Sequence, residues 1–148
     1  MKDIKPKLIS LFKKGYCTPQ IARIAKKIKE PSTTIHYNIK KLEEEAIKTY
    51  KAVFDYNQIG EGHCTFLLVN LKEEKYGQPE EIAEEIAKSE RIESVDIVTG
   101  EYELLIKLRS EDIDDYYAWI KEAIKKYNFA KTISLTSLKQ LKTEFVEI

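Results

Sequence analysis

Apolar residues in the first 48 positions recur three or four residues apart, the spacing of helices that bury one face. Gly15 predicts the end of a first helix, and Thr18 and Pro19 predict the N-cap and first residue of a second. A third helix is predicted to begin near Ser32, within a hydroxyl cluster available for capping, and to run into three glutamates. The apolar positions of the three helices are Ile4, Leu8, Leu11 and Phe12, then Ile21, Ile24, Ala25 and Ile28, then Ile35, Ile39 and Leu42.

The chain changes character after the third helix. Residues 49–55 are rich in strand-forming side chains and predict a short linker strand, and Gly60 and Gly62 predict a boundary. We therefore expect a helical domain over residues 1–48, a join over 49–62 and a second domain over 63–148.

The second domain alternates between strand and helix periods. Strands are predicted over residues 64–71, 92–98, 102–108 and 129–138, helices over 79–87 and 113–127, and a turn at Gly100-Glu101. This βαββαβ order is typical of the ferredoxin-like arrangement, in which two helices cover one face of a four-stranded sheet. Thr65, Leu67 and Val69, or the residues that alternate with them, then face a side that no helix of this chain covers. A partner subunit is the simplest cover, so we expect a homodimer or a larger assembly.

The outward face of the third helix carries the chemistry of the first domain. With Ile35, Ile39 and Leu42 inward, about 100° per residue places Thr33, Tyr37 and Lys40 outward. These groups, like their flanking neighbours, suit base edges and phosphates, and they predict the recognition helix of a helix-turn-helix. The predicted DNA-binding residues are Ser32, Thr33, Thr34, His36, Tyr37, Lys40 and Lys41, with Lys26, Lys27 and Lys29 on a phosphate-contacting rim to which Lys48 and Lys51 could add.

The distribution of charge supports this division. The 148-residue chain has no net charge, but residues 1–62 carry 13 Lys+Arg against 7 Asp+Glu, whereas residues 63–148 carry 12 against 18. A basic half joined to an acidic half is typical of a polyanion-binding module attached to another domain.

Composition excludes several other classes. No apolar run approaches the roughly 20 residues of a membrane-spanning helix, and the charged N-terminus does not resemble a signal peptide. Cys17 and Cys64 lie far apart without a CxxC pair, so neither a disulfide framework nor a metal site is expected. We interpret both cysteines as packing residues, Trp119, Tyr116 and Tyr117 as core or interface, and His63 as an exposed linker side chain. We expect a cytoplasmic protein without a cofactor.

Two segments carry a resemblance to a known family. Residues 32–47, Ser-Thr-Thr-Ile-His-Tyr-Asn-Ile-Lys-Lys-Leu-Glu-Glu-Glu-Ala-Ile, and residues 98–107, Val-Thr-Gly-Glu-Tyr-Glu-Leu-Leu-Ile-Lys, resemble the recognition helix and the regulatory-domain turn of the leucine-responsive regulatory protein (Lrp)/AsnC family. The resemblance extends over nearly the whole chain. It implies an α+β fold, with a winged helix-turn-helix domain followed by a ferredoxin-like (ACT-like) ligand-binding and oligomerisation domain.

The same resemblance implies a function. Family members are sequence-specific transcription regulators that bind double-stranded DNA as dimers, often assembled into octamers, and commonly bind an amino-acid effector between dimers. Three positions depart from the family pattern: Asn38 replaces a common Arg, Ala46 replaces a helix-ending Gly, and Glu103 replaces the Asp of the turn. We expect a left-handed cap at Ala46 to be strained if the helix ends there.

The turn also has a physical interpretation of its own. Gly100 permits close approach of a ligand, free backbone N–H groups could hold a carboxylate, and Glu101 or Glu103 could meet an α-ammonium. The predicted effector-binding residues are Thr99, Gly100, Glu101, Tyr102, Glu103 and Ser134, with Thr136 a weaker candidate. Alternatively, this segment is only a hairpin turn between two strands.

Two other functions fit the same architecture. Sirohaem decarboxylases resemble this two-domain plan, and an enzyme of that kind would use His36 and His63 as proton-transfer candidates. We favour a protein that is not an enzyme, because His36 lies on the outward face of the third helix and the lysine rim suits phosphates. A low-specificity architectural DNA-binding protein is the remaining alternative, since Asn38 removes a customary contact.

Overall fold

A computed structural model describes residues 2–75 and 77–142, which fold into two compact units that meet in sequence between Phe54 and Asp55. The first unit contains α1 (Lys5–Lys13), α2 (Ile21–Ile28) and α3 (Ser32–Glu45). Gly15 follows α1 with φ of +93°, as its predicted role requires. A Cβ at Gly15 would lie 2.7 Å from the Tyr50 carbonyl oxygen, so glycine also allows residues 49–50 to pass close by.

The predicted capping of the second and third helices is wrong in detail. Helix α2 begins at Ile21 after an extended Gln20, so Thr18 and Pro19 precede the helix instead of opening it. Helix α3 begins at Ser32 as predicted, but Pro31 is its N-cap and no side chain caps it. Because the backbone at Gln20 is extended, Pro19 lies outside α2. Helix α2 then begins at Ile21, the first apolar residue of its inward face.

The first unit has little buried apolar surface. Among its described residues only Ile35 is less than a tenth exposed, at 5%. Leu42, predicted to share the inward stripe, is 48% exposed, so burial along α3 is concentrated near its first two turns.

The predicted linker strand over residues 49–55 is absent from the structure. No residue of this segment is in a strand, because none of the described residues forms a ladder with it. A strand needs a hydrogen-bonded neighbour, and strand-forming side chains alone do not supply one.

The second unit has the predicted βαββαβ order. Its helices α4 (Pro79–Ala87) and α5 (Ile113–Tyr127) coincide with the prediction, and its strands are β1 (His63–Leu71), β2 (Ile92–Ile97), β3 (Leu104–Ser110) and β4 (Phe129–Thr136). A short 3₁₀ turn spans Glu73–Lys75. The antiparallel sheet has the order β2-β3-β1-β4. Strand β3 begins two residues later than predicted because a bond from Val98 N–H to the Glu103 carbonyl closes the preceding turn.

Register decides which side of the sheet the helices cover. Thr65, Leu67 and Val69 are fully buried, and the latter two belong to the helix-side core with Ile86, Ile106 and Ile120. The alternating residues of β1 therefore lie on the opposite side, which we call the open face. On that face Phe66 pairs with Lys107 and Leu135, and Leu68 pairs with Leu105 and Ile133.

Several single-residue interpretations can be compared with the structure. His63 is not an exposed linker residue: it begins β1, is half-buried, and its ring centroid lies 6.0 Å from that of Tyr116. Tyr116 is in the core and Trp119 packs against it, as predicted, whereas Tyr117 is 60% exposed in this chain. Cys64 is buried on the open face and Cys17 is half-buried. In the part of the chain described, no helix is long and apolar enough to cross a bilayer.

Candidate functional site

The N-terminal two-thirds of α3 present a polar surface. Ile35 is buried on the inward side of this helix. Thr33 and Tyr37 are exposed on the opposite side, and Tyr37 is 66% exposed. The remaining α3 residues predicted to contact DNA are exposed as well: Ser32, Thr34, His36, Lys40 and Lys41. The first acidic residue of α3 is Glu43, near the C-terminal end of the helix. We call the seven exposed residues the α3 surface.

One flank of α3 borders a cleft of about 240 Å³. His36, Lys40 and Glu43 line it from α3, and Thr18 and Pro19, before α2, line it with Ile21, the first residue of α2. His36 and Lys40 therefore lie beside α2, whereas Thr33 and Tyr37 do not line this cleft. Glu43 also accepts a hydrogen bond from the Tyr50 hydroxyl at 3.2 Å, which holds that acid towards the segment after α3.

The C-terminal end of α2 carries the lysine rim, Lys26, Lys27 and Lys29. Lys29 adopts a left-handed conformation (φ 57°, ψ 42°) that ends α2, and Lys26 and Lys27 lie in the last helical turn. All three are exposed, and none pairs with an acidic side chain among the residues described. Their charges are thus available to a polyanion.

The predicted effector turn is largely occupied by its own contacts. Glu103 Oε2 accepts a hydrogen bond of 2.6 Å from Leu71 N–H, and Glu103 N–H donates to the Val69 carbonyl at 3.0 Å. Glu101 accepts a hydrogen bond from Lys131 Nζ at 3.3 Å. The Glu103 carboxylate is therefore tied to β1 through Oε2, and the Glu101 carboxylate is held towards β4 by Lys131.

Lys131 connects the turn to β4. Its Nζ lies 5.5 Å from the Tyr102 ring centroid, and hydrogen bonds to Tyr102 and Glu101 raise the pKa of this lysine. Thr99 and Gly100 at the tip are exposed, Gly100 with φ of +114° and nothing within 4 Å of a Cβ there. The tip is therefore open to a ligand from outside the chain.

Ser134 does not join this turn on the open face. Its register partner is Leu67, on the helix side, and its Oγ shares a short hydrogen bond with the Tyr116 hydroxyl. Thr136 pairs with Thr65 on the same side. The structure thus places Ser134 with α5 and places Lys131 beside the turn.

Sequence reasoning missed a charged cluster on the open face. Glu93 Oε1 accepts from Arg109 Nε at 2.6 Å, and Glu93 Oε2 lies 2.7 Å from Lys107 Nζ. Arg109 also donates to Gln140 at 2.6 Å and stacks 3.9 Å above the Tyr56 ring centroid. We call Glu93, Lys107 and Arg109 the Glu93 cluster. Lys107 and Arg109 are two residues apart in the otherwise apolar strand β3, so they lie on the same face of the sheet. This spacing was the sign of the cluster that the sequence offered.

Comparison with known proteins identifies the second unit. Residues 64–146, more than half of the chain, match the model of the Lrp/AsnC ligand binding domain. The chain belongs to the Lrp/AsnC family of transcription regulators. It is 30% identical over 126 residues to an HTH-type transcriptional regulator of Pyrococcus furiosus, covering 84% of each chain.

Solved Lrp/AsnC structures have the same fold. An AsnC family regulator from Agrobacterium tumefaciens matches with a TM-score of 0.75 at 21% identity, over 99% of this chain and 97% of that one. A regulator from Neisseria meningitidis, in complex with L-Met, matches with a TM-score of 0.73 at 15% identity, over 96% and 92%.

Two departures from the Lrp/AsnC pattern now have structural descriptions. Asn38 donates from Nδ2 to the Thr34 carbonyl at 2.8 Å, so its amide is used within α3. Ala46 ends α3 with φ of −137°, so the left-handed strain expected there does not arise. This helix ends without a glycine because the Ala46 and Ile47 N–H groups both bond to the Leu42 carbonyl.

Proposed function

We propose that this Lrp/AsnC protein is a cytoplasmic, sequence-specific regulator that inserts α3 into the major groove of double-stranded DNA. The α3 surface carries the proposal: hydroxyl, aromatic and basic side chains lie exposed along its first turns, with acids confined to the far end. Groups of this kind can contact base edges and phosphates at once.

We assign different tasks to the α3 surface and to the lysine rim. Thr33 and Tyr37 contact base edges, while Lys26, Lys27 and Lys29 contact phosphates from the end of α2. Each phosphate contact releases about one counterion, so binding falls steeply with salt. His36 and Lys40, beside the start of α2, contact the backbone at the edge of the groove.

The protein would act as a homodimer or a higher assembly such as an octamer. The open face offers Phe66 and Leu68 at its centre and Leu135, 53% exposed, at its edge. Covering this apolar surface with a second copy would place two α3 helices for half-sites about one helical turn of DNA, or a multiple, apart.

A small-molecule effector such as an amino acid would then bind between subunits at the turn 99–103. The exposed Thr99-Gly100 tip supports this assignment, as does the neighbour structure that contains L-Met. Binding there would shift the equilibrium between assemblies, and with it the spacing of the α3 helices.

The test begins with selection of bound DNA from a random pool, with and without amino acids. Gel shifts then compare variants on the selected site and on unrelated DNA. Tyr37→Ala or Thr33→Ala should cost about 1–3 kcal/mol on the specific site only. Lys27→Ala should weaken both alike and lower the salt slope by about one.

Tyr117→Ala is the matched control, because Tyr117 is a similarly exposed tyrosine, at 60%, on the other unit. It should leave both affinities unchanged. Equal losses for Tyr37→Ala, Thr33→Ala and Lys27→Ala on both DNAs would contradict the assigned roles. A selected site bound hardly more tightly than random DNA would favour the architectural alternative.

A further inference from the structure

One end of the core of the second unit is polar. It lies at the end of the sheet farthest from the turn 99–103, where β1 begins and β3 ends. His63 pairs with Ser110 there, and Thr65 is two residues along β1, so the three side chains share the helix side of the sheet. Thr65 is fully buried and Ser110 is 2% exposed. Polar residues thus occupy a layer that is apolar along the rest of β1 and β3.

Each of these three residues has a buried polar atom that is not hydrogen-bonded within the chain. Thr65 Oγ1, Ser110 Oγ and His63 Nε2 have no partner in the part of the chain that the structure describes. A buried polar group that loses water without gaining a partner is unfavourable, and native cores contain few of them. Three such atoms on one face of two paired strands therefore indicate a shared polar partner from outside the chain.

Tyr116 covers this end of the sheet from α5. It is 5% exposed, and its ring centroid lies 6.0 Å from that of His63. The Tyr116 hydroxyl shares a hydrogen bond with Ser134 on β4, so this hydroxyl is already engaged. Because the three unpaired atoms have almost no exposed surface, their partner must be a small molecule enclosed between the sheet and α5.

The spacing of the three groups suits a single water molecule. His63 and Ser110, directly opposite in the ladder, have Cβ atoms about 4.5–5.5 Å apart, and Thr65 lies diagonally from Ser110 at about 7–8 Å. The two hydroxyl oxygens can turn towards each other and so come closer than this. Two hydrogen bonds of about 2.8 Å let one water link polar atoms up to about 5.6 Å apart. A buried water typically makes about three hydrogen bonds to groups that are otherwise unpaired.

We propose that Thr65, Ser110 and His63 bind one buried water molecule, which ties β1 to β3 beneath α5. Water both donates and accepts, so it suits two hydroxyls and either neutral tautomer of His63. The site is separate from the proposed DNA and effector contacts, since none of its residues lies on α3 or in the turn 99–103. It stabilises the start of β1, where the chain enters the sheet from residues 55–62.

The sign of a stability change distinguishes a bound water from an unpaired hydroxyl. Thr65→Val keeps the β-branched shape but removes the hydroxyl. If that hydroxyl binds the water, the variant loses one hydrogen bond and should raise the unfolding equilibrium constant of the second unit about twofold to tenfold. If the hydroxyl has no partner, valine removes an unpaired polar group and should lower this constant, which would overturn the proposal. The fluorescence of Trp119, whose ring lies 6.5 Å from that of Tyr116, follows unfolding in urea.

Thr136→Val is the matched control, because Thr136 pairs with Thr65 on the same side of the sheet but is exposed. It should change the unfolding constant less than Thr65→Val does. Oxygen-17 magnetic relaxation dispersion then counts the waters that the full-length chain holds longer than it tumbles. The count per chain should fall by one in the Thr65→Val/Ser110→Ala double variant and stay constant in Thr136→Val. An unchanged count in the double variant would reject the water site.

Discussion

Glu93 is the common partner of two cations on the open face, and replacing it with glutamine should strongly destabilise the second unit. The side chains of Glu93, Arg109 and Lys107 are only 9%, 6% and 13% exposed. Glu93→Gln keeps the shape but removes the charge, which leaves both cations partly buried without a counterion. Removing one partner of a buried ion pair costs about 3–5 kcal/mol.

A surface glutamate provides the matched control. Glu85 also contacts two lysines, Lys88 at 2.8 Å and Lys126 at 3.7 Å, but its side chain is 44% exposed and those of the lysines are 74% and 64% exposed. Exposed pairs contribute about 0–1 kcal/mol because water and salt screen them. Glu85→Gln should therefore change the free energy of unfolding by no more than about 1 kcal/mol.

Urea unfolding followed by fluorescence measures both variants. The chain contains one tryptophan, Trp119, which packs against the core of the second unit and so reports on that unit. With urea m-values of about 1–3 kcal/mol/M, Glu93→Gln should lower the midpoint by about 1–5 M. A shift no larger than that of Glu85→Gln would refute the conclusion that burial strengthens the Glu93 cluster.

The same cluster predicts a pH dependence. Burial raises the pKa of Glu93, but hydrogen bonds from Lys107 and Arg109 outweigh it and hold the pKa below its ordinary value. A carboxyl with a lowered folded-state pKa stabilises the fold above its unfolded pKa, about 4.3, and this contribution is lost as the pH falls through the folded value. The stability advantage of the natural chain over Glu93→Gln should therefore be full at neutral pH and shrink in acid.

Three further predictions concern backbone strain and thiol burial. Lys29→Gly should be more stable than Lys29→Ala by about 0.5–1 kcal/mol in thermal unfolding, because both remove the charge but only glycine relieves the left-handed conformation; equal stabilities would contradict this. Gly15→Ala should lower the melting temperature more than Gly60→Ala, since both have positive φ but only Gly15 lies against a neighbouring carbonyl; a larger effect at Gly60 would be the contrary result. Cys17 should react with a thiol reagent before Cys64, because burial raises the pKa of Cys64 and shields it; faster labelling of Cys64 would argue against this packing.

Local signals explain why two helices were predicted to the residue. Pro79 stands at the start of α4, and Asp112 caps α5 by accepting from Asp115 N–H. Asn128, in the left-handed conformation, ends α5. Each boundary thus depends on a residue within one turn of it, which sequence reasoning can find.

Features that depend on pairing between distant segments were not predictable in this way. Residues 49–55 have the composition of a strand but no ladder among the described residues. Arg109 meets Glu93 only because β2 and β3 pair with a register shift between Ile92 and Ser94. Strand β4 likewise contains one extra residue, Ala130, because Asn70 pairs with Lys131 and Leu71 with Phe129, and no alternation of apolar and polar residues reveals this bulge.

The thin interior of the first unit, where among the described residues Ile35 alone is well buried, has a consequence for how DNA would act on it. Helices with so few apolar contacts open at a low free energy. A duplex that binds only their folded form would raise their melting point in proportion to the logarithm of its concentration. Salt that dissociates the duplex would therefore also lower the melting temperature of residues 2–54, so that DNA binding and the folding of the first unit are linked equilibria.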